Sequence, residues 1–385
     1  MESKGVVVQG ECAPRFAAVR EAFAANFAAG REVGASFAAS VDGRLVVDLW
    51  AGHADAARTR PWERDTIVNV WSVTKAMTAL SAHVLVDRGL LDVNAHVAEY
   101  WPEFAQAGKR ALPVRHLLAH QAGLAAIRAP LPRDAFYDWS CMTSALAAES
   151  PWWEPGSASG YHALTFGFLV GEVVRRITGR TIGTFLREEV TAPLGADFHI
   201  GLPERDDVRV AEMIPPTAAE AAAAGPQAKI DPESMLGKLM RNPLVTPLTA
   251  NLPAWRRAEV PAANGHGNAR SVVRVLSALA CGGTLDGERV IGTEALGRAI
   301  EPQWSGRDLV LNIPMCWALG FMRSSSVLRL GPNPRAFGHG GWGGSLGIAD
   351  PDGRVAWAYV MNKMSPGTTG DSRAAGMLAA LYAAR

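Results

Sequence analysis

TIVNVWSVTKAMTALSAHVLVDRGLLDVNAHVAEYWPEF, residues 66–104, changes character at Ser72, where the chain enters a long helical stretch, TKAMTALSAHVLVDRGL. Ser72-Val73-Thr74-Lys75 is an S-x-x-K motif, and its three-residue spacing puts the lysine amine on the same helix face as the serine hydroxyl. A serine hydroxyl is a poor nucleophile at neutral pH, but a desolvated, neutral lysine can take its proton during attack. The start of the helix also supplies a backbone N–H that can face a developing oxyanion. The same four residues fit a plainer reading, in which Ser72 caps the helix and Lys75 reaches out to solvent.

Working outward, residues 13–29 (APRFAAVREAFAANFAA) place Phe16, Val19, Phe23 and Phe27 at helical spacing, with Gly30 as a stop signal. GASFAAS and RLVVDLW follow as two β-rich runs around Asp42-Gly43, a strong hairpin signal. After residue 72 the pattern is mainly helical, including ALTFGFLVGEVVRRITG, with proline-bearing loops between the helices. Residues 212–265 are rich in Ala and Pro with little periodicity and read as a long loop excursion that covers a site. Strands return in CWALGFMRS, SVLRL, GGSLGIADP and RVAWAYVMNKM, and SRAAGMLAALYAAR closes the chain as a helix. The fold class is therefore α/β of the α+β type: one antiparallel sheet flanked by terminal helices, with a mainly helical inserted subdomain. The sheet domain takes residues 1–71 and 270–385, the subdomain 72–269, and catalysis belongs in the cleft between them. No repeat of 20 to 50 residues is visible, which removes solenoids and propellers.

Composition narrows the function classes. With 385 residues, 48% hydrophobic and 19% charged, the chain can bury a large core. Lys plus Arg number 38 against 37 for Asp plus Glu, so no net field favours nucleic acid or an anionic membrane, and a small molecule is the expected partner. No apolar run is long enough for a membrane-spanning helix, and no basic segment leads into a long apolar stretch as in a secretory signal, so the expected location is the cytoplasm. Cys12, Cys141, Cys281 and Cys316 lie far apart with no C-x-x-C pair and read as buried thiols.

The nucleophile stretch, together with HLLAHQAGL at 116–124, resembles the corresponding region of class C β-lactamases, serine DD-peptidases and their related esterases. WEPGSASGYHALTFGFLVGEVVRRITG at 153–179 resembles the surroundings of that family's Y-x-N motif and implies Tyr161 as a second proton-transfer group. That role requires a neighbour to hold the phenol's pKa down. The Asn expected two places later is Ala163, which removes a carboxamide suited to amide substrates. The family's K-T-G strand is replaced by His339-Gly340-Gly341 within FGHGGWGGSLG. The resemblance implies an oxyanion hole from the backbone N–H groups of Ser72 and Trp342, with glycines letting substrate approach the backbone. His339 lacks a lysine's fixed charge for a substrate carboxylate, which disfavours β-lactams. The likeness is greatest to family VIII carboxylesterases. It implies a serine carboxylesterase acting on small, fairly apolar esters, with Ser72, Lys75 and Tyr161 as catalytic residues. The alternatives are a β-lactamase or DD-peptidase cleaving amides, or a catalytically silent binding or scaffold relative.

Other signals receive plainer readings. Gly343-Gly344-Ser345-Leu346-Gly347 fits the G-x-S-x-G elbow, but the elbow needs a strand before it and a helix after it, and here a strand follows. His116 and His120 sit four apart without H-E-x-x-H and read as structural, so neither a metal nor another cofactor is expected. His266, in NGHGNARS, is expected on a loop bordering the cleft. Trp152 with Trp153, and Trp342 with Phe337, are candidates to line an apolar acyl pocket.

Overall fold

In the computed structural model, which describes residues 6–224, 231–367 and 372–385, Asp42-Gly43 joins two strands as expected. Both residues have positive φ, 50° and 79°, the combination whose twist matches paired strands. The strands are β1 (Gln9–Cys12), β2 (Gly34–Val41) and β3 (Arg44–Gly52). Next come β4 (Val68–Asn69), β5 (Phe198–His199) and β6 (His266–Gly267), which form a small sheet of their own, and a short hairpin, β7 (Thr284–Leu285) with β8 (Glu288–Arg289). The chain then adds β9 (Trp304–Arg307), β10 (Pro314–Trp317), β11 (Met322–Arg323), β12 (Phe337–Gly340), β13 (Leu346–Asp350) and β14 (Val355–Met361).

The main sheet has nine strands in the order β1-β3-β2-β14-β13-β12-β11-β10-β9, all antiparallel. The join between the two ends of the chain is β2 with β14, in register from Val41 opposite Val355 to Ala35 opposite Met361. Every residue of β14 is buried, which explains its unbroken apolar run: both faces of the sheet are covered. Ser36 accepts from Ala269 N and Ser40 bonds Ser277, so that face of β2 meets the helix Ala269–Ala280. On the opposite face Phe37 stacks on Trp357, and the terminal helices Ala17–Ala28 and Ser372–Ala383 pack together. Phe16, Val19, Phe23 and Phe27, the expected apolar stripe, are all buried.

The helix Thr74–Asp87 is buried along nearly its whole length and on all sides, against the helices Thr165–Thr178, Ile182–Leu186 and Thr293–Ala299 and the strand β12. Its polar side chains are satisfied inside, Thr78 Oγ1 on the Pro261 carbonyl, Ser81 Oγ on the Met77 carbonyl and His83 Nε2 on the Leu319 carbonyl, so the whole helix can lie in the interior. It carries the S-x-x-K serine at its entry to the boundary between the sheet and the helical part.

Three expectations need correction. SVLRL at 326–330 is not a strand, because its exposed Val327 and the turn around Ser325 leave it unpaired. β1 and β9, both at sheet edges with polar sequences, were not visible as strands. Of the cysteines only Cys316 is fully buried, while Cys12, Cys141 and Cys281 are half-buried free thiols. The 212–265 excursion contains short helices, Ala218–Ala223, Met235–Arg241 and Pro253–Arg257, and its residues 225–230 lie outside the described ones. Among the described residues no helix is long and apolar enough to cross a membrane.

Candidate active site

The approach to Ser72 is bent. Trp71 adopts φ 48°, a left-handed conformation that costs a bulky residue energy and marks a backbone held by its surroundings. Its carbonyl accepts from Thr74 N at 3.0 Å and Thr74 Oγ1 at 2.5 Å, and Asn264 pairs with it from the side. Ser72 therefore stands just ahead of the helix and does not cap it: the N-cap position falls on Val73, and no side chain serves as cap.

Lys75 does not reach solvent either. It is 0% exposed, and its Nζ lies 3.0 Å from Ser72 Oγ while donating to the carbonyls of Ala163 (2.7 Å) and Ala262 (2.9 Å). No salt bridge to it exists among the described residues, and burial holds its pKa well below the usual amine range. The helix-cap reading of S-x-x-K is thereby overturned. A neutral amine offers two N–H donors and one lone pair, which matches two carbonyls and a serine O–H. The arrangement can pass a proton from Ser72 to Lys75.

Tyr161 is brought to the same place from 86 to 89 residues away along the chain, its ring centroid 4.7 Å from Lys75 Nζ and its phenol hydrogen-bonded to Ser72. The expected lowering of its pKa is reversed. Burial pushes the phenol above its ordinary range, the Ser72 bond pulls it back in part, and the Asp308 carboxylate pushes it up again. A phenol held protonated is suited to giving a proton rather than to waiting as a base. Ala163 contributes its carbonyl to Lys75 and its methyl to the cleft, where Y-x-N would place a carboxamide.

The cleft over Ser72 is lined by Trp71, by Tyr161, Ala163 and Leu164 from the helical side, by Leu236, Met240, Val245 and, near its end, Ala263 from the excursion, and by Leu311 and Trp342. It is overwhelmingly apolar, with no charged side chain among the described residues that line it. The N–H groups of Ser72 and Trp342 have no acceptor among the described residues, which leaves both free to bind an oxyanion. Gly341 must be glycine here: a Cβ would lie 2.3 Å from the Val70 carbonyl, so only glycine lets the strand end come this close to the bend before Ser72.

Of the side chains expected at the substrate, only Trp342 lines the cleft. His339 is buried behind the β12 strand, its Nδ1–H donating to the Gly340 carbonyl and its ring stacked on Tyr161 and Trp317. Burial, with Lys75 nearby, pushes its pKa down to about 3, so it is neutral at physiological pH. Gly340 is paired within the strand opposite Leu346. His266 is buried in β6 with its Nδ1 on the Asn264 carbonyl, because β6 pairs on both sides and turns the ring inward. Trp152 donates to the Ala126 carbonyl and supports Arg128, and Trp153 donates to Ala158 and packs on Gly160; both brace a loop away from the cleft. Phe337 packs on Phe321 in the core. Ser345 is fully buried at the start of β13 with a strand, not a helix, after it, so the elbow reading fails. His120 sits in the aromatic cluster with Tyr161 and Trp317, and His116 is half-buried against Gly156.

Sequence reasoning missed Asp308, Trp317, Leu311 and the three apolar excursion residues. They carry no motif, and the chain brings them to Tyr161 and Ser72 only through long-range contacts, Asp308 from 147 residues beyond Tyr161.

A family model described as beta-lactamase matches residues 19–382. The esterase/beta-lactamase LipL of Mycobacterium tuberculosis (strain ATCC 25618 / H37Rv) is 39% identical over 363 residues, covering 93% of this chain and 83% of LipL. Among solved structures, a family VIII carboxylesterase superposes with TM-score 0.92 at 45% identity, over 98% of this chain and 100% of its own. A penicillin-binding-protein homologue from Caulobacter crescentus gives 0.90 at 44%, over the same shares.

Proposed function

Because the chain belongs to the beta-lactamase and penicillin-binding-protein superfamily, we propose that it is a serine carboxylesterase whose nucleophile is Ser72 and whose substrates are small esters with an apolar acyl group. The observation that carries the reading is the buried Lys75 amine, 3.0 Å from Ser72 Oγ and without an ion-pair partner among the described residues. Neutral Lys75 takes the Ser72 proton as Oγ bonds to the ester carbonyl carbon, and the carbonyl oxygen gathers negative charge facing the N–H groups of Ser72 and Trp342. Tyr161 gives its proton to the departing alkoxide as the ester C–O bond breaks, and recovers one from the Lys75 ammonium. Water then attacks the acyl-Ser72 carbonyl, losing its proton to the same pair, and the acid leaves with Ser72 restored.

The substrate class follows from the cleft wall. Leu164, Leu236, Met240, Val245 and Leu311 favour an aliphatic acyl group by burying its surface. The lack of a cation among the described lining residues, with His339 buried and neutral and Ala163 in place of a carboxamide, weighs against β-lactams and peptide carboxylates.

The test is hydrolysis of p-nitrophenyl acetate and butyrate by wild type, Ser72→Ala and Ser345→Ala, with folding checked by circular dichroism. Loss of turnover in Ser72→Ala alone is the expected result. Turnover lost only in Ser345→Ala, or a wild type inert on esters but active on a chromogenic cephalosporin, overturns it.

A further inference from the structure

Asp308 follows directly on β9 and plays no part in the steps above, yet its carboxylate is fully buried beside the site. Oδ1 accepts the backbone N–H groups of Tyr161 (3.0 Å), Val310 (2.9 Å) and Leu311 (2.9 Å), and Oδ2 accepts the Trp317 indole N–H at 3.0 Å. All four partners are donors. Burial pushes the Asp308 carboxyl above its ordinary range and these four bonds pull it back; since a protonated carboxyl would need an acceptor for its own O–H, the geometry suits an anion, and charge-assisted bonds are the stronger kind.

Two of the four bonds lead to one residue. The first holds the Tyr161 backbone directly. The second fixes the Trp317 indole, whose ring lies parallel to the Tyr161 ring, 2° between planes and 5.4 Å between centroids. We infer that Asp308 is a positioning residue that clamps Tyr161 at its backbone and, through Trp317, at its ring, so that the phenol stays aimed at Ser72. This rests on the proton-transfer role proposed for Tyr161. The phenol oxygen sits at the far end of a lever pivoting at Cα, and small rotations at the backbone or ring become displacements large enough to slow a proton transfer.

Asp308→Asn keeps one oxygen but turns an NH₂ group toward an N–H donor, breaking the clamp on one side with little change in volume. The experiment measures kcat and KM on p-nitrophenyl butyrate for Asp308→Asn, Trp317→Phe, Tyr161→Phe and the two doubles that combine the first or second with Tyr161→Phe. Asp308→Asn is expected to lower kcat about tenfold with KM within about twofold, and to cause no further loss once Tyr161 is Phe. The same fractional loss in both backgrounds, or a change in KM alone, makes Asp308 a scaffold residue and overturns the inference while leaving the Tyr161 role intact. Wild-type kcat in the single Tyr161→Phe variant instead removes the role of Tyr161, and the inference falls with it. Where Asp308→Asn does not fold, Trp317→Phe decides by the same comparison, since it keeps a ring on Tyr161 and deletes only the indole end of the clamp.

Discussion

Trp71 and Trp342, which reach the cleft from opposite sides of the chain's long middle, meet edge to face with ring centroids 5.0 Å apart. One precedes Ser72 and the other carries the second free N–H, so this single contact ties together the two proposed oxyanion donors. Trp342→Ala removes the contact and is expected to lower kcat on short esters about tenfold with a smaller change in KM, whereas Trp342→Phe retains most activity. Steady-state kinetics on p-nitrophenyl acetate, where the acyl group is too small to miss the indole as a pocket wall, checks it.

Lys75→Met fills the same buried volume without an amine. On the proposed mechanism kcat/KM falls by roughly 10³ or more, because a serine without its base is left with only the oxyanion donors and binding. A covalent serine probe reports the same loss as slowed labelling of Ser72, and circular dichroism confirms that the fold survives.

Acid should act on the protein in two ways. Lys75 must be neutral to take the Ser72 proton, and burial holds its pKa well below the usual amine range, so kcat/KM declines on the acid side as the amine gains a proton. Stability follows the histidines. Burial depresses His83 and His162 to about 4 and His266 and His339 to about 3, while the unfolded chain takes up protons at 6.5. The unfolded state then binds more protons across that window, so unfolding free energy drops as pH falls from 6.5 to about 3, by at most ~1.4 kcal/mol per unit for each histidine. Urea melts between pH 7 and pH 4 measure the slope; a flat profile sinks the assignment of neutral buried imidazoles.

Leu236 and Met240 belong to the excursion and touch the cleft, not the proton-transfer groups. Truncating both to Ala is expected to lower kcat/KM for p-nitrophenyl octanoate by about thirtyfold or more relative to acetate, since each lost apolar contact is worth about 1–3 kcal/mol to a long acyl chain and nothing to a short one. An unchanged ratio would place the acyl group elsewhere.

Phe23→Ala probes the frame rather than the site. The ring is fully buried between the terminal helices and the sheet and meets Phe27 at 5.3 Å. Its loss is expected to cost about 3–5 kcal/mol in denaturant unfolding while leaving kcat of the folded fraction as in wild type.

Local pattern was enough for what local forces decide. The Phe16–Phe27 stripe, the Asp42-Gly43 turn and the β-rich runs of β2, β3 and β14 announced the terminal helix, the hairpin and the sheet, because side-chain periodicity, residue type and turn chemistry are properties of neighbours in sequence. S-V-T-K was legible for the same reason: Ser72 and Lys75 share a helix turn, and their meeting needs no other segment. Everything requiring distant segments to converge was silent. No local feature distinguishes His266 or His339 in a buried strand from a histidine at a cleft. Nor does any link Asp308 to Tyr161, or tell that a tyrosine expected to be acidified would be held protonated. Burial sets those outcomes, and burial is decided by which parts of the chain pack against each other, so only the tertiary structure could supply them.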